Sequence, residues 1–81
     1  MYQTINEDIA VLGIYKNSFF VPKKFKWNHR VYGVQEITLL NDVSEGSIKK
    51  RLYSVVSNGN LYRLEFNRSS EKWRIAEVWV E

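Results

Sequence analysis

The sequence predicts an all-β domain, built as a small curved antiparallel sheet or a small barrel of about six strands. Three observations carry that prediction. Apolar and polar residues alternate with period two through most of the chain, which is the pattern of a strand with one buried face. The interruptions are short and hairpin-like. Twelve aromatic residues (three Trp, five Tyr, four Phe) supply a core large enough for a chain of 81 residues with no cysteine to staple it. Closing or curling such a sheet covers strand edges and lets inward side chains of neighbouring strands fill the middle, so an SH3-like or OB-like barrel is the natural size.

The elements follow in chain order. Residues 1–7 are expected to be a flexible N-terminus to a single domain spanning 1–81. Ile9-Ala10-Val11-Leu12-Gly13-Ile14-Tyr15 reads as a buried strand. An alternative is a short N-terminal helical turn, because Thr4-Ile5-Asn6-Glu7 matches a capping box and Ile5, Ile9 and Leu12 have helical spacing. Lys16-Asn17-Ser18 is a tight turn. Pro22, which lacks an amide donor, belongs at a sheet edge or a strand start. Asn28-His29 marks a second tight turn. Residues 30–40 form one long run rich in β-branched side chains, and Asn41–Ser47 is expected to be the longest loop. In 51–57, Arg51, Tyr53 and Val55 alternate with Leu52, Ser54 and Val56. Asn58-Gly59 is a strong hairpin signal, since both residues tolerate positive φ. Tyr62, Leu64 and Phe66 then share one face of a strand, and Arg68–Lys72 is a turn. In the last strand, Trp73 and Ile75 align with each other, as do Ala76, Val78 and Val80. The slip between the two sets predicts a bulge or burial on both sides.

Composition excludes several classes. One histidine and no cysteine leave no zinc-ligand set, so no metal or other cofactor is expected. No apolar run approaches the ~18 residues of a membrane span. The start of the chain lacks a basic leader with an apolar stretch behind it, and a cytoplasmic protein is the expectation. The net charge is only +3, but residues 9–35 hold Lys16, Lys23, Lys24, Lys26 and Arg30 with no acid, and residues 46–64 add Lys49, Lys50, Arg51 and Arg63, again with no acid. These segments would make a one-signed surface if the fold brought them together.

The run Pro22-Lys23-Lys24-Phe25-Lys26-Trp27-Asn28-His29-Arg30-Val31-Tyr32-Gly33-Val34-Gln35-Glu36-Ile37 resembles the P-x-x-F-x-W-x-x-R-x-Y-x-V-x-E-I signature of a family of small bacterial proteins of unknown function. Arg51–Val55, Leu61–Leu64 and Trp73–Trp79 extend the similarity over residues 9–80. A looser likeness connects it to the C-terminal tail of error-prone-polymerase-like proteins of bacterial DNA repair. The resemblance implies a bacterial protein in a nucleic-acid or protein-docking context, and implies no catalytic residue. His29 stands where a glycine is common in the family's turn.

Catalysis has little to build on. The chain has no nucleophile elbow and no phosphate-cradling glycine loop, and its one neutral-pH base, His29, falls in a turn without an orienting partner. Glu36, Glu65 and Glu77 read more naturally as outward strand residues paired across to Arg or Lys than as a catalytic carboxylate pair. The chain therefore reads as a non-enzymatic binding module. Basic residues interleaved with aromatics make single-stranded nucleic acid the leading partner, because such binders combine a positive groove with stacking rings. Phe25 and Trp27 share a strand face and are expected in the core. The candidate site comprises Lys23, Lys24, Lys26, Arg30, Lys49, Lys50 and Arg51 for phosphates, with Tyr32, Tyr53 and Tyr62 as partly exposed stacking platforms. The alternative is a protein partner or a homodimer, docked through an exposed strand edge or an aromatic patch.

Overall fold

A computed structural model describes all 81 residues, and every regular element in it is a strand. There are seven, one more than predicted: β1 (Tyr2–Lys16), β2 (Phe19–Trp27), β3 (Arg30–Gly33), β4 (Glu36–Glu45), β5 (Ile48–Ser57), β6 (Asn60–Asn67) and β7 (Lys72–Trp79). They form one antiparallel sheet in the order β3-β2-β1-β7-β6-β5-β4, strongly curved but not closed into a barrel. No helix is long and apolar enough to cross a membrane.

The curvature comes from a strand that changes partners. The first part of β1, Tyr2–Ile9, pairs with β7, and the second, Ala10–Lys16, pairs with β2. Register shifts at Thr4/Glu7 and at Leu12/Gly13 bend it. The sheet thus has a three-stranded lobe (β3, β2 and the end of β1) and a five-stranded lobe (the start of β1, then β7, β6, β5 and β4). Opposite this corner, the two residues between β3 and β4 make a second one. The Val34 amide donates to the Lys23 carbonyl of β2 at 2.8 Å, and the next amide, Gln35, donates to Val56 of β5 at 2.8 Å. The chain passes there from one lobe to the other.

That crossing corrects two expectations. The run 30–40 is divided between β3 and β4, and most of Asn41–Ser47 is strand, with only Gly46 and Ser47 left as the turn. The helical alternative for Thr4–Leu12 is overturned as well, since its residues pair with β7 and β2. The predicted tight turns are found. Asn17/Ser18, Asn28/His29 and Asn58/Gly59 are two-residue loops with positive φ at both positions, the hairpin geometry whose twist matches the flanking strands. The slip in the last strand is also present, where Leu64 pairs with Ile75 but Arg63 pairs with Glu77.

Phe25, Tyr53, Val55, Tyr62, Leu64 and Ile75 form the buried core between the lobes, and Ile9, Val11, Trp27, Tyr32 and Trp73 pack around it. Pro22 lies inside β2, opposite Gly13 at the β1 bulge and below the reach of β3, whose pairing stops at Lys24. The missing amide therefore falls where β2 is locally an edge. Gly13 is required by the same contact. A Cβ there would run into the Val21 carbonyl oxygen and come within 2.7 Å of the Phe20 ring.

Candidate functional site

The acid-free segment 9–35 folds as a unit. It is the three-stranded lobe, because a meander keeps chain neighbours together in space. Lys16, Lys23, Lys24, Lys26 and Arg30 are all exposed on it, and none forms a salt bridge. Inward Phe25 alternates with outward Lys24 and Lys26, so these two lysines project from the same outer face. Register sets Lys26 between Ala10 and Val31, and Lys24 between Leu12 and Gly33. A shallow apolar groove lies among them, lined by Ala10, Leu12, Val31 and the Lys24 and Lys26 stems.

The second basic segment behaves differently. Lys50 lies 3.2 Å from Glu65 and 3.7 Å from Glu45, while Arg51 Nε donates to Asp42 at 2.7 Å. The Arg51 hydrogen bond holds the Asp42 carboxyl below its usual range. Arg63 is engaged too, bonded to Glu77 at 3.1 Å and stacked on the Tyr2 ring. Of the β5 candidates only Lys49 is exposed and unbridged. The two basic segments are thus not equivalent, since one is bare and the other is largely neutralised by its neighbours. Glu65 and Glu77 take cross-strand cations, as their spacing predicts; Glu36 is exposed without one.

The predicted stacking platforms need correction. Tyr53 is 1% exposed and Tyr62 6% exposed, so neither ring can receive a base. Burial raises the pKa of both phenols. Tyr53 satisfies its hydroxyl by donating to the Phe20 carbonyl at 3.0 Å, across the gap between β5 and the unpaired part of β2. Tyr62 packs against Phe25, Trp27 and Tyr32. Tyr32 is half-buried, stacked on Phe25 with ring centres 5.0 Å apart. Phe25 is in the core as expected, whereas Trp27 is partly open at its edge and donates its indole N–H to Glu7 at 2.9 Å. Trp27, opposite Arg30 in register, and Tyr32 are therefore the half-open rings at the β2–β3 turn end of the basic lobe, while its most exposed rings, Tyr15 and Phe19, lie at the other end.

Five apolar residues of this lobe contradict their predicted burial or went unmarked. Leu12 is 64%, Ile14 50%, Val31 63%, Tyr15 79% and Phe19 48% exposed. The sequence signal for the first two is their parity, opposite to that of Ile9 and Val11, which face the core. His29 lies exposed at the β2–β3 turn, and no group of acidic or histidine side chains is arranged to hold a metal ion. In comparisons with known proteins, no family model matches the chain, and no curated protein or solved structure matches it either.

Proposed function

We propose that the protein is a non-enzymatic module that binds single-stranded nucleic acid across the three-stranded lobe. The observation that carries the reading is the set of five exposed cations on a lobe without a single acid, none of them bridged. Lys24 and Lys26 contact backbone phosphates from the outer face, Lys16 and Lys23 extend the track, and Arg30 brings the strand to the turn end. There Trp27 and Tyr32 offer ring edges, in place of the buried Tyr53 and Tyr62. Backbone neutralisation is the principal source of affinity, and sequence preference is weak.

The test is fluorescence anisotropy of labelled mixed-sequence DNA and RNA oligonucleotides over a salt series. Each phosphate contact contributes about −0.7 to the log–log slope, so four or five contacts give about −2.8 to −3.5. The Lys24→Glu/Lys26→Glu double variant lowers affinity at least about tenfold and removes about 1.4 from the slope. Arg68→Glu/Lys72→Glu makes the same change in net charge at exposed positions off the lobe, and retains the slope. Undetectable binding at low salt, or equal losses from both double variants, overturns the proposal.

A second reading is favoured by one specific observation. Leu12, Ile14 and Val31 are aliphatic, so they offer contact to an acidic, amphipathic protein segment and no base-stacking surface. In that case a Leu12→Ser/Val31→Ser variant abolishes capture of the protein partner. If nucleic acid is the ligand, the same variant leaves oligonucleotide affinity within about twofold of the parent.

A further inference from the structure

The two ends of the sheet are treated unequally. At one end, β3 has only four residues, and the part of β2 it leaves uncovered carries Pro22 and Lys23, all of which discourage another strand from adding there. At the other end, β4 has ten residues, hydrogen-bonds to β5 alone, and contains neither lysine nor proline. Its one bulge lies near its start, at Ile37/Leu39, which leaves Leu39–Glu45 regular and open. Leu39 is 52% exposed and Leu40 42% exposed. A long, regular, partly apolar edge is a template for strand addition.

We infer that β4 pairs with β4 of a second copy, antiparallel about a two-fold axis at Asn41, to extend the sheet into a dimer. The charge on the edge points to a copy rather than to a basic or acidic ligand. Two of the three β4 acids are already compensated within the chain, Asp42 by Arg51 and Glu45 by Lys50, and none of the bare cations lies on β4: they belong to the other lobe, to the start of β5 (Lys49) or to the β6–β7 turn and the first residue of β7 (Arg68, Lys72). The register follows from symmetry. An axis perpendicular to the sheet brings like faces together, so the dyad passes through a residue. Leu39, Asn41 and Val43 face outward opposite Ser54, Leu52 and Lys50, while Leu40 and Asp42 lie on the Tyr53 face. Centring on Asp42 would oppose Asp42 to itself, and centring on Leu39 would oppose Glu36 to Asp42. Like charges directly opposite are destabilising. Centring on Leu40 would leave only residues 39–41 to pair before the bulge, and centring on Val43 would set Leu39 and Leu40 against the Gly46–Ser47 turn. Centring on Asn41 sets Asn41 against Asn41, Leu39 against Val43 twice, and Leu40 against an Asp42 that Arg51 already holds.

Sedimentation equilibrium of the intact chain over a wide concentration range tests the dimer, with an expected rise of about twofold in apparent mass. Asn41→Asp is nearly isosteric at an exposed position and opposes two carboxylates at the dyad, so it weakens association about two- to fivefold, while its melting curve matches the parent's at concentrations where both are monomeric. Because the chain has no cysteine, single-cysteine variants report the register without background. Asn41→Cys places two thiols directly opposite and forms a disulfide-linked dimer under mild oxidation. Leu40→Cys sets them on a diagonal of about 7–8 Å, beyond disulfide reach, and stays monomeric on a non-reducing gel. A monomer at every concentration overturns the inference. So does a dimer unaffected by Asn41→Asp, or one linked through residue 40 and not 41. None of these readouts involves nucleic acid, so the dimer and the binding lobe stand or fall separately.

Discussion

Gly13→Ala is expected to be among the most damaging single-methyl changes in this protein. The added Cβ would collide with the Val21 carbonyl oxygen and sit 2.7 Å from the Phe20 ring tip and 2.9 Å from Pro22 Cα. Two of these atoms belong to the backbone of the neighbouring strand and cannot rotate away. They lie at the β1 bulge, where the ladder is already irregular. Overpacking of this kind costs about 1–3 kcal/mol, and immovable backbone neighbours place Gly13 at the upper end, about 3 kcal/mol. A domain of this size has a total stability of about 4–12 kcal/mol. At about 4–8 °C of Tm per kcal/mol, the variant melts roughly 12–24 °C below the parent. Thermal unfolding followed by near-ultraviolet circular dichroism measures this, with the aromatic core as the reporter. Gly33→Ala is the paired control. It has no atom within 4 Å of the added Cβ and should fall within about 0.5 kcal/mol of the parent. A Tm for Gly13→Ala within about 4 °C of the parent would refute the close approach of β1 and β2, since it corresponds to less than about 1 kcal/mol.

Tyr53→Phe removes the hydroxyl that reaches the Phe20 carbonyl; urea unfolding should show a loss of about 0.5–1.5 kcal/mol. Burial also raises the Tyr53 pKa above 10.0, so this contribution is complete below that value and fades as pH rises through the folded-state pKa, a base-limb dependence that Tyr53→Phe flattens. Asp42 has the opposite sign. Its pKa is lowered from 3.8, chiefly by the Arg51 hydrogen bond, so its contribution is present above that value and lost as pH falls through the depressed one. Asp42→Asn should flatten the acid limb of a urea-midpoint profile. His29→Gly relieves a positive φ of 64° on a non-glycine residue and should raise stability by up to about 1 kcal/mol in the same assay.

Local pattern marked most of the sheet. Period two identified the faces of β5 and β6, and the Asn-containing turns were visible because few other residues accept positive φ twice in succession. What failed depended on register, which links residues far apart in the chain. The hydroxyls of Tyr53 and Tyr62 suggested exposure, but Tyr53 finds its acceptor 33 residues away. Lys50 and Arg51 appeared free because their acids, Glu65 and Asp42, belong to adjacent strands. Residues 41–45 resemble a loop because an edge strand, open along one side, exposes even its polar backbone and needs few apolar side chains. Leu12 and Ile14 resemble core in sequence, and only the second, solvated face of the three-stranded lobe explains them.

The basic lobe was legible for a different reason. Strand order equals chain order from β1 to β3, so a stretch of sequence without acids becomes a stretch of surface without acids. The arrangement is not the one that self-stability favours. Lys24 and Lys26 lie two residues apart on one face, roughly 6.5–7 Å along the strand. At that spacing two unit charges repel by about 0.6 kcal/mol in water before screening by salt. On the other lobe the same problem is solved by cross-strand carboxylates at Lys50, Arg51 and Arg63. A substitution at position 10, 12 or 31 could place an acid beside Lys24 or Lys26, yet these positions hold Ala, Leu and Val. On the five-stranded lobe the chain compensates Lys50, Arg51 and Arg63 and leaves Lys49, Arg68 and Lys72 bare, whereas on the three-stranded lobe it compensates none of its five cations, where the proposed ligand would relieve the repulsion. That contrast, within a single sheet, ties the binding proposal to the three-stranded lobe and not to the net charge of the whole protein.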